Sequence, residues 1–213
     1  VKNLARDGST YWAFATIALS PQRLLSVRVT PSDRTVVIGG HPIKVEVDFL
    51  AGEYEGTGPK HRTQPVHEGR ARKARGCDLA FDLFIETQIS GELPEGGKDQ
   101  ARVRVASIVA FLVMKAMALH DRLKEKDAWD IYFTLTNYPG GLDALADEIR
   151  HHVGHGLVQE GLRKIAEKFA STEHVGPNFV ADFEDVQDEQ DRAVLVRDVY
   201  ERMDYLLRSL NAR

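Results

Sequence analysis

The chain lacks the features that mark secreted, membrane-spanning or strongly basic proteins. Cys77 is the single cysteine among 213 residues, which excludes an internal disulfide and is typical of a reducing compartment. The longest apolar stretch, residues 105–114, is too short to cross a bilayer, which needs about 20 residues. A formal net charge of -4 excludes a strongly basic nucleic-acid binder. We therefore expect a cytoplasmic protein with no membrane partner.

What is present is the composition of a globular protein, with strand-like patterns before helical ones. Apolar residues make up 43% of the chain, enough for a packed core. A period of two among β-branched residues predicts a hairpin of residues 36–38 and 43–49. The rest of the first half reads as a polar loop at 51–76, one or two strands at 77–89 and a loop at 93–100.

From Ser107, a plausible N-cap, the spacing of apolar residues becomes helical. It predicts helices over 107–121, 125–137, 142–152, 156–170 and 189–210. Strands followed by helices indicate an α+β fold. We expect a mixed-sheet domain over residues 1–106 and a helical C-terminal subdomain over 107–213.

Lys115 is the single charge in its apolar helical stretch. The helical spacing places it in the middle of an apolar face, beside Ile108, Phe111, Leu112 and Leu119. A buried ammonium without a partner loses several kcal/mol of hydration. The sequence therefore predicts that a carboxylate, a ligand anion or water meets Lys115; the alternative is a lysine that extends along the surface to reach solvent.

Carboxylates on two other segments are candidates to meet Lys115. Asp127 and Asp130 lie in the first turns of the next predicted helix, where the helix dipole favours negative charge even without a site. Asp48 lies on the predicted strand 43–49, where it would suit a magnesium ion or, alternatively, face solvent. Glu46 lies on the same face of that strand and could substitute for it. A lysine and carboxylates that converge from distant segments predict phosphate and metal chemistry.

Three other groups of residues point less clearly to function. His151 and His155 have zinc-like spacing without an accompanying glutamate, so a solvated helix end is expected. Cys77 is expected to be a buried structural thiol. The basic stretch 60–75 fits a loop that binds RNA or a nucleotide phosphate and, equally, a flexible polar loop.

Two segments resemble motifs of a known enzyme family. Residues 113–132, VMKAMALHDRLKEKDAWDIY, are similar to the late motifs of AbiEii/AbiGii-type nucleotidyltransferase toxins, in which a helix lysine precedes an Arg-x-Lys-x-Lys-Asp-x-x-Asp stretch. Residues 43–50, IKVEVDFL, resemble the middle motif of that family, a single acidic residue between apolar ones. The resemblance covers residues 23–140, with the later helices as a plausible family C-terminus.

This resemblance implies a role for each matching residue. Asp48 would be a catalytic carboxylate that binds Mg²⁺ or Mn²⁺, and Lys115 would be catalytic and contact the triphosphate of an NTP. Asp127 would be the catalytic acid of the late motif, with Arg122 and Asp130 supporting nucleotide binding. The implied fold is a nucleotidyltransferase-like mixed sheet with a helical subdomain.

The implied activity is the transfer of a nucleoside monophosphate from an NTP to RNA, with tRNA as the expected acceptor, or to a protein hydroxyl. The protein would be the toxin of a toxin–antitoxin or phage-defence pair, with a cognate antitoxin as a possible partner. The family opens with a Gly-Gly or Gly-Ser turn and an Asp-x-Asp pair, and these 213 residues contain no such pair. We expect an upstream segment to supply it, so that this piece is N-terminally truncated and inactive alone.

Two other functions remain open from the sequence. The first is a non-catalytic relative without the Asp-x-Asp motif that binds a nucleotide, RNA or a partner protein. The second is a metal-dependent phosphohydrolase that uses the same carboxylates and releases phosphate instead of pyrophosphate.

Overall fold

The computed structural model has its strands in the first half of the chain and its long helices in the second. It describes residues 17–18, 34–38, 41–45, 49–52, 63–66, 69–92 and 96–212. The described residues up to Asp82 form one compact unit together with Glu86–Val105, and Leu83–Ile85 form a second with residues from Ala106 onward. The predicted α+β class is confirmed.

Strands make up most of the described residues of the first unit. A mixed sheet has the order β1-β4-β6-β5, in which β1 and β6 each pair with β4 in parallel and β5 pairs with β6 antiparallel. A separate hairpin joins β2 and β3, with Val36 opposite Ile43. A second two-stranded sheet consists of β7 and β8. The bounds are β1 Ile17–Ala18, β2 Arg34–Ile38, β3 His41–Val45, β4 Phe49–Ala51, β5 Thr63–Val66, β6 Gly69–Lys73, β7 Phe84–Glu92 and β8 Lys98–Ala106, with a short helix α1 Leu79–Asp82 before β7.

The predicted hairpin of residues 36–38 and 43–49 is confirmed as far as Val45. Phe49 starts β4, which pairs with other strands, and Asp48 and Glu46 lie outside the described residues. The interpretation of 51–76 as a loop was wrong where β5 and β6 form a hairpin. Their sequences are polar and contain no apolar alternation, so the pairing depends on neighbouring backbone that a local pattern does not reveal.

The segment 77–100 also differs from its prediction. The expected strand at Cys77 is instead a turn and the short helix α1, and the expected loop 93–100 contains the start of β8 at Lys98. The two strands β7 and β8 carry mostly exposed side chains. Little burial leaves little apolar alternation, which is why β8 is not evident before Val103.

Six helices form the second unit: α2 Ile108–Arg122, α3 Glu125–Asn137, α4 Gly141–Arg150, α5 Gly156–Lys168, α6 Val175–Phe183 and α7 Glu189–Ser209. The predicted cap of α2 is confirmed, because Ser107 Oγ accepts from the amide of Ala110 at 3.3 Å. Asp188 caps α7 in the same way. The core is apolar and includes Val109, Leu112, Val113, Ala116, Met117, Ala128, Ile131, Leu135, Leu145, Ile149, Ile165, Phe169, Val199, Met203, Leu206 and Leu207.

Helix α6 was not predicted. Its second and third residues are Gly176 and Pro177, which in a sequence indicate a turn. A proline is nevertheless tolerated in the first turn of a helix, where its missing N–H has no intrahelical partner. None of the helices in the described ranges is both long enough and apolar enough to cross a membrane.

Candidate functional site

Charged side chains gather where α2 ends and α3 begins. Leu123 ends α2 in the left-handed region, with φ of 47°, and α3 starts at Glu125. The sharp change of direction turns the last two turns of α2 toward the first turns of α3. Lys115 and Arg122 on α2 therefore meet the carboxylates of Asp127 and Asp130 on α3.

Lys115 lies between the two carboxylates. Its Nζ is 3.2 Å from Asp127 Oδ1 and 2.5 Å from Asp130 Oδ2. Its side chain is 16% exposed and lies at the edge of the core-facing side of α2, so the prediction that it occupies the middle of that face was wrong. The predicted need for a partner is met by two acids.

Each carboxylate also has a second cation. Arg122 binds Asp127 with both ends of its guanidinium, through Nε at 2.6 Å from Oδ2 and Nη2 at 2.7 Å from Oδ1. Lys126 Nζ lies 2.7 Å from Asp130 Oδ1. We call these five residues, Lys115, Arg122, Lys126, Asp127 and Asp130, the Lys115 cluster.

The Lys115 cluster holds its acids inside and its cations toward solvent. The side chains of Asp127 and Asp130 are 1% and 9% exposed, whereas that of Arg122 is 46% exposed. Three cations thus lie around two buried carboxylates in one small region.

Asp127 remains ionised although it is buried. Burial by itself raises the pKa of this carboxyl. The hydrogen bond from Arg122 and the charges of Lys115 and Arg122 together lower the pKa by more than burial raises it. The balance holds the pKa of Asp127 below its ordinary value of 3.8. Its negative charge in turn fixes the positions of both cations.

The carboxylates of the Lys115 cluster do not fit a metal ion. All four of their oxygens lie within 3.2 Å of an ammonium or guanidinium nitrogen. No group of metal-ligating side chains occurs elsewhere in the described part of the chain either. Asp48, which the sequence predicts as the metal ligand, lies outside that part, as does its substitute Glu46.

Four of the five predicted site residues thus lie together: Lys115, Arg122, Asp127 and Asp130. Lys126 was missed, although its spacing of four residues from Asp130 is a helical ion-pair signal. That signal is common on solvated helices, so it did not single out this lysine.

Aromatic rings border the Lys115 cluster. The Phe111 ring centroid lies 5.7 Å from Lys115 Nζ, and that of Trp129 lies 5.7 Å from Lys126 Nζ. Trp129 also packs against Phe133 and Phe183, each with a centroid separation of 5.1 Å.

The other candidates from the sequence are the histidines near residue 151, Cys77 and the basic stretch 60–75. His155 caps α5, with Nδ1 accepting from the amide of Leu157 at 3.2 Å. The Cys77 side chain is buried, and burial followed by the nearby charge of Asp78 raises its pKa to about 12, which leaves almost no nucleophilic thiolate. Of the basic stretch 60–75, side-chain exposure is described from residue 72 onward, and Arg72 and Arg75 are exposed.

One comparison with known proteins gives a match. The family model described as "Nucleotidyl transferase AbiEii toxin, Type IV TA system" matches residues 23–204. No curated protein and no solved structure matches the chain.

Proposed function

Because the chain belongs to the AbiEii nucleotidyl transferase toxin family of type IV toxin–antitoxin systems, we propose that it transfers a nucleoside monophosphate from an NTP to a hydroxyl group of RNA or protein. The expected RNA acceptor is tRNA. The protein acts as the toxin of its pair, in the cytoplasm, and its activity is countered by a cognate antitoxin.

The observation that carries this proposal within the structure is the gathering of three cations, those of Lys115, Arg122 and Lys126, around two buried carboxylates. A triphosphate develops negative charge on its oxygens as the bond to the leaving pyrophosphate breaks. Fixed cations stabilise that charge because they need no reorganisation during the reaction. Lys115 and Arg122, which are held in place by Asp127, are suited to this task.

Asp127 and Asp130 act in this proposal as positioning residues. Their oxygens already accept hydrogen bonds or ion pairs from the cations of the cluster. Asp127 orients the guanidinium of Arg122 through two contacts, and Asp130 shares Lys115 with Asp127. Neither carboxylate needs to touch the substrate for its loss to reduce transfer.

The proposed reaction uses a divalent metal, Mg²⁺ or Mn²⁺, which the Lys115 cluster does not bind. When bound, such an ion would neutralise phosphate charge and orient the attacking hydroxyl. We assign it to Asp48, with further carboxylates supplied by the Asp-x-Asp motif that these 213 residues lack. The present chain is therefore expected to be inactive until that motif is supplied.

The test is a transfer assay with the chain extended to include the family's opening motif. Labelled ATP, GTP, CTP and UTP are each incubated with total RNA and total protein, and incorporation is measured. Lys115→Ala should lower incorporation by on the order of 10²–10³-fold, as expected for loss of one fixed electrostatic group. Lys168→Ala, a lysine of α5 that pairs with Glu167, is the matched control and should retain activity. Wild-type protein that labels neither acceptor with any NTP would contradict the proposal.

The absence of an Asp-x-Asp pair favours one other function, that of a non-catalytic relative. Such a protein would bind nucleotide, RNA or a partner protein through the same cations without transferring anything. Calorimetric titration of the extended chain with NTP distinguishes the two functions. A non-catalytic relative should bind NTP in a way that depends on Lys115, and it should show no incorporation.

A further inference from the structure

Aromatic side chains lie beside the Lys115 cluster, on the neighbouring face of α3. Lys126 lies between the two: its ammonium is 2.7 Å from Asp130 on one side and 5.7 Å from the ring centroid of Trp129 on the other. Phe183, at the end of α6, packs against the same indole ring and is 39% exposed. We call Trp129 and Phe183 the aromatic surface.

Contacts on several sides fix the indole ring. Its Nε1–H donates a hydrogen bond to Glu184, and the rings of Phe133 and Phe183 are tilted against it by 31° and 39°. A half-buried tryptophan that is fixed in this way loses little conformational entropy when a flat ligand stacks beside it. On the same helix, Ile131 and Leu135 are fully or almost fully buried in the core, whereas Trp129 is half-buried.

Acidic residues near Phe183 are engaged within the protein. Glu184 accepts from the Trp129 indole, and Asp182 pairs with Arg192 Nη2 at 2.7 Å. Asp185 accepts from the side chain of Gln187 at 2.5 Å. Lys126, a member of the Lys115 cluster, places a cation 5.7 Å from the centroid of the same indole ring.

We propose that the aromatic surface is a nucleobase subsite, on which a base stacks while its phosphate meets Lys126 and the rest of the Lys115 cluster. This proposal rests on the proposed function, because it takes the cluster to bind nucleotide phosphates. An aromatic ring beside cations is the combination that recognises bases without sequence preference. The base belongs to either the NTP or the acceptor RNA, and these two sources are separated by the experiment.

The chain contains two tryptophans, so Trp12→Phe leaves Trp129 as the single indole emitter. This variant of the full chain is titrated with NTP, a short single-stranded RNA, the same ribose–phosphate backbone without bases, and tripolyphosphate. Base-bearing ligands should quench the Trp129 emission, whereas the abasic backbone and tripolyphosphate should bind without quenching it. Quenching by NTP alone assigns the subsite to the substrate, and quenching by RNA alone assigns it to the acceptor.

A pair of variants separates stacking from packing. Trp129→Phe keeps an aromatic face and should bind base-bearing ligands within a few-fold of wild type. Trp129→Leu keeps apolar packing and should bind them about 5- to 150-fold more weakly, the loss expected when one base–aromatic stack is removed. Both variants should bind tripolyphosphate equally well. Tyr205→Leu, which removes a 48% exposed ring on α7, is the control and should change neither affinity.

Two results would overturn the inference: binding of base-bearing ligands without quenching, and equal affinities of the Leu and Phe variants. Both measurements report binding and do not depend on turnover. Transfer activity without quenching would contradict the nucleobase subsite but support the proposed enzymatic activity. Quenching without transfer activity would support a base-binding surface but contradict the proposed enzymatic activity.

Discussion

Asp127 shows how a single buried carboxylate organises the charged residues around it. Its side chain is 1% exposed, and a lone charge there would be strongly destabilising. The bidentate contact with Arg122 and the ion pair with Lys115 offset that cost. The same contacts hold both cations in one geometry, so stability and the proposed binding of substrate depend on the same residue.

Asp127→Asn should lower the free energy of unfolding at pH 7 by about 1–3 kcal/mol, below the 3–5 kcal/mol of a fully buried pair because Arg122 reaches solvent. The pKa of Asp127 is lowered on folding, so its stabilisation is present above the unfolded pKa and disappears as the pH falls through the folded pKa. Urea unfolding at a series of pH values should therefore show the difference between variant and wild type shrinking as the pH falls below about 4. A difference that stays constant down to acidic pH would show that the charge is not responsible.

The sequence correctly predicted that Lys115 needs a partner, because burial of an unpaired ammonium is costly in any fold. It identified four residues that lie together, but not what each one contacts. From the sequence, Asp127 and Asp130 fit acids that border a site, acids that the helix dipole favours, or partners of Lys115. The choice depends on Leu123 reversing the chain at φ of 47°, a conformation that leucine rarely adopts and that no local pattern indicates.

At the scale of the element, the N-terminus of α2 fixes the helix that carries Lys115. Ser107 has extended backbone angles, and its Oγ satisfies the amide of Ala110, which has no intrahelical partner. A capped start ensures that the two turns carrying Lys115 and Arg122 keep their orientation toward α3.

Ser107→Ala should destabilise the protein by about 1 kcal/mol, because it removes the cap hydrogen bond while keeping the backbone unchanged. Thermal unfolding followed by circular dichroism measures the loss. Ser107→Thr retains a hydroxyl acceptor and serves as the control. Equal destabilisation by both variants would indicate that crowding at this buried position, and not the loss of the cap, causes the effect.

Helix α6 is placed by a close approach at Gly176. A Cβ built there would lie 2.7 Å from the Phe169 ring and 2.8 Å from the carbonyl oxygen of Lys168. Phe169 is fully buried and the carbonyl belongs to the backbone, so neither can move easily. The aromatic surface depends on this packing, since α6 carries Phe183.

Gly176→Ala should therefore destabilise the protein by about 1–3 kcal/mol through overpacking. Gly156→Ala is the matched control. Gly156 begins α5, a Cβ added there would meet no other atom within 4 Å, and the change should be neutral or stabilising by up to about 1 kcal/mol. Urea unfolding of the two variants gives both values. A neutral Gly176→Ala would mean that α6 can shift away from Phe169.

At the scale of the whole molecule, the residues described from Ala106 onward form a unit with its own core. The Lys115 cluster lies entirely within this unit, as does the aromatic surface. The predicted metal ligand Asp48 lies outside the described residues.

A fragment of residues 106–213 should fold by itself into the helical unit. Its apolar core is continuous across α2 to α7, so circular dichroism should show helix and urea should unfold it in one cooperative transition. Asp127→Asn should destabilise this fragment as much as it destabilises the longer chain. A fragment without cooperative unfolding would show that the helical unit needs the strands before it.

The sequence by itself determined the α+β class, most of the helices and the family. Apolar periodicity and caps are local properties, and the motifs of residues 113–132 lie on one continuous stretch. The family match confirms that resemblance and extends it to residue 204. Only the tertiary structure decided that the two acids of α3 bind cations, that Lys126 joins them and that α6 supplies an aromatic neighbour. Each of these depends on which faces meet after the chain reverses, and a contact between distant residues leaves no periodic trace in the sequence.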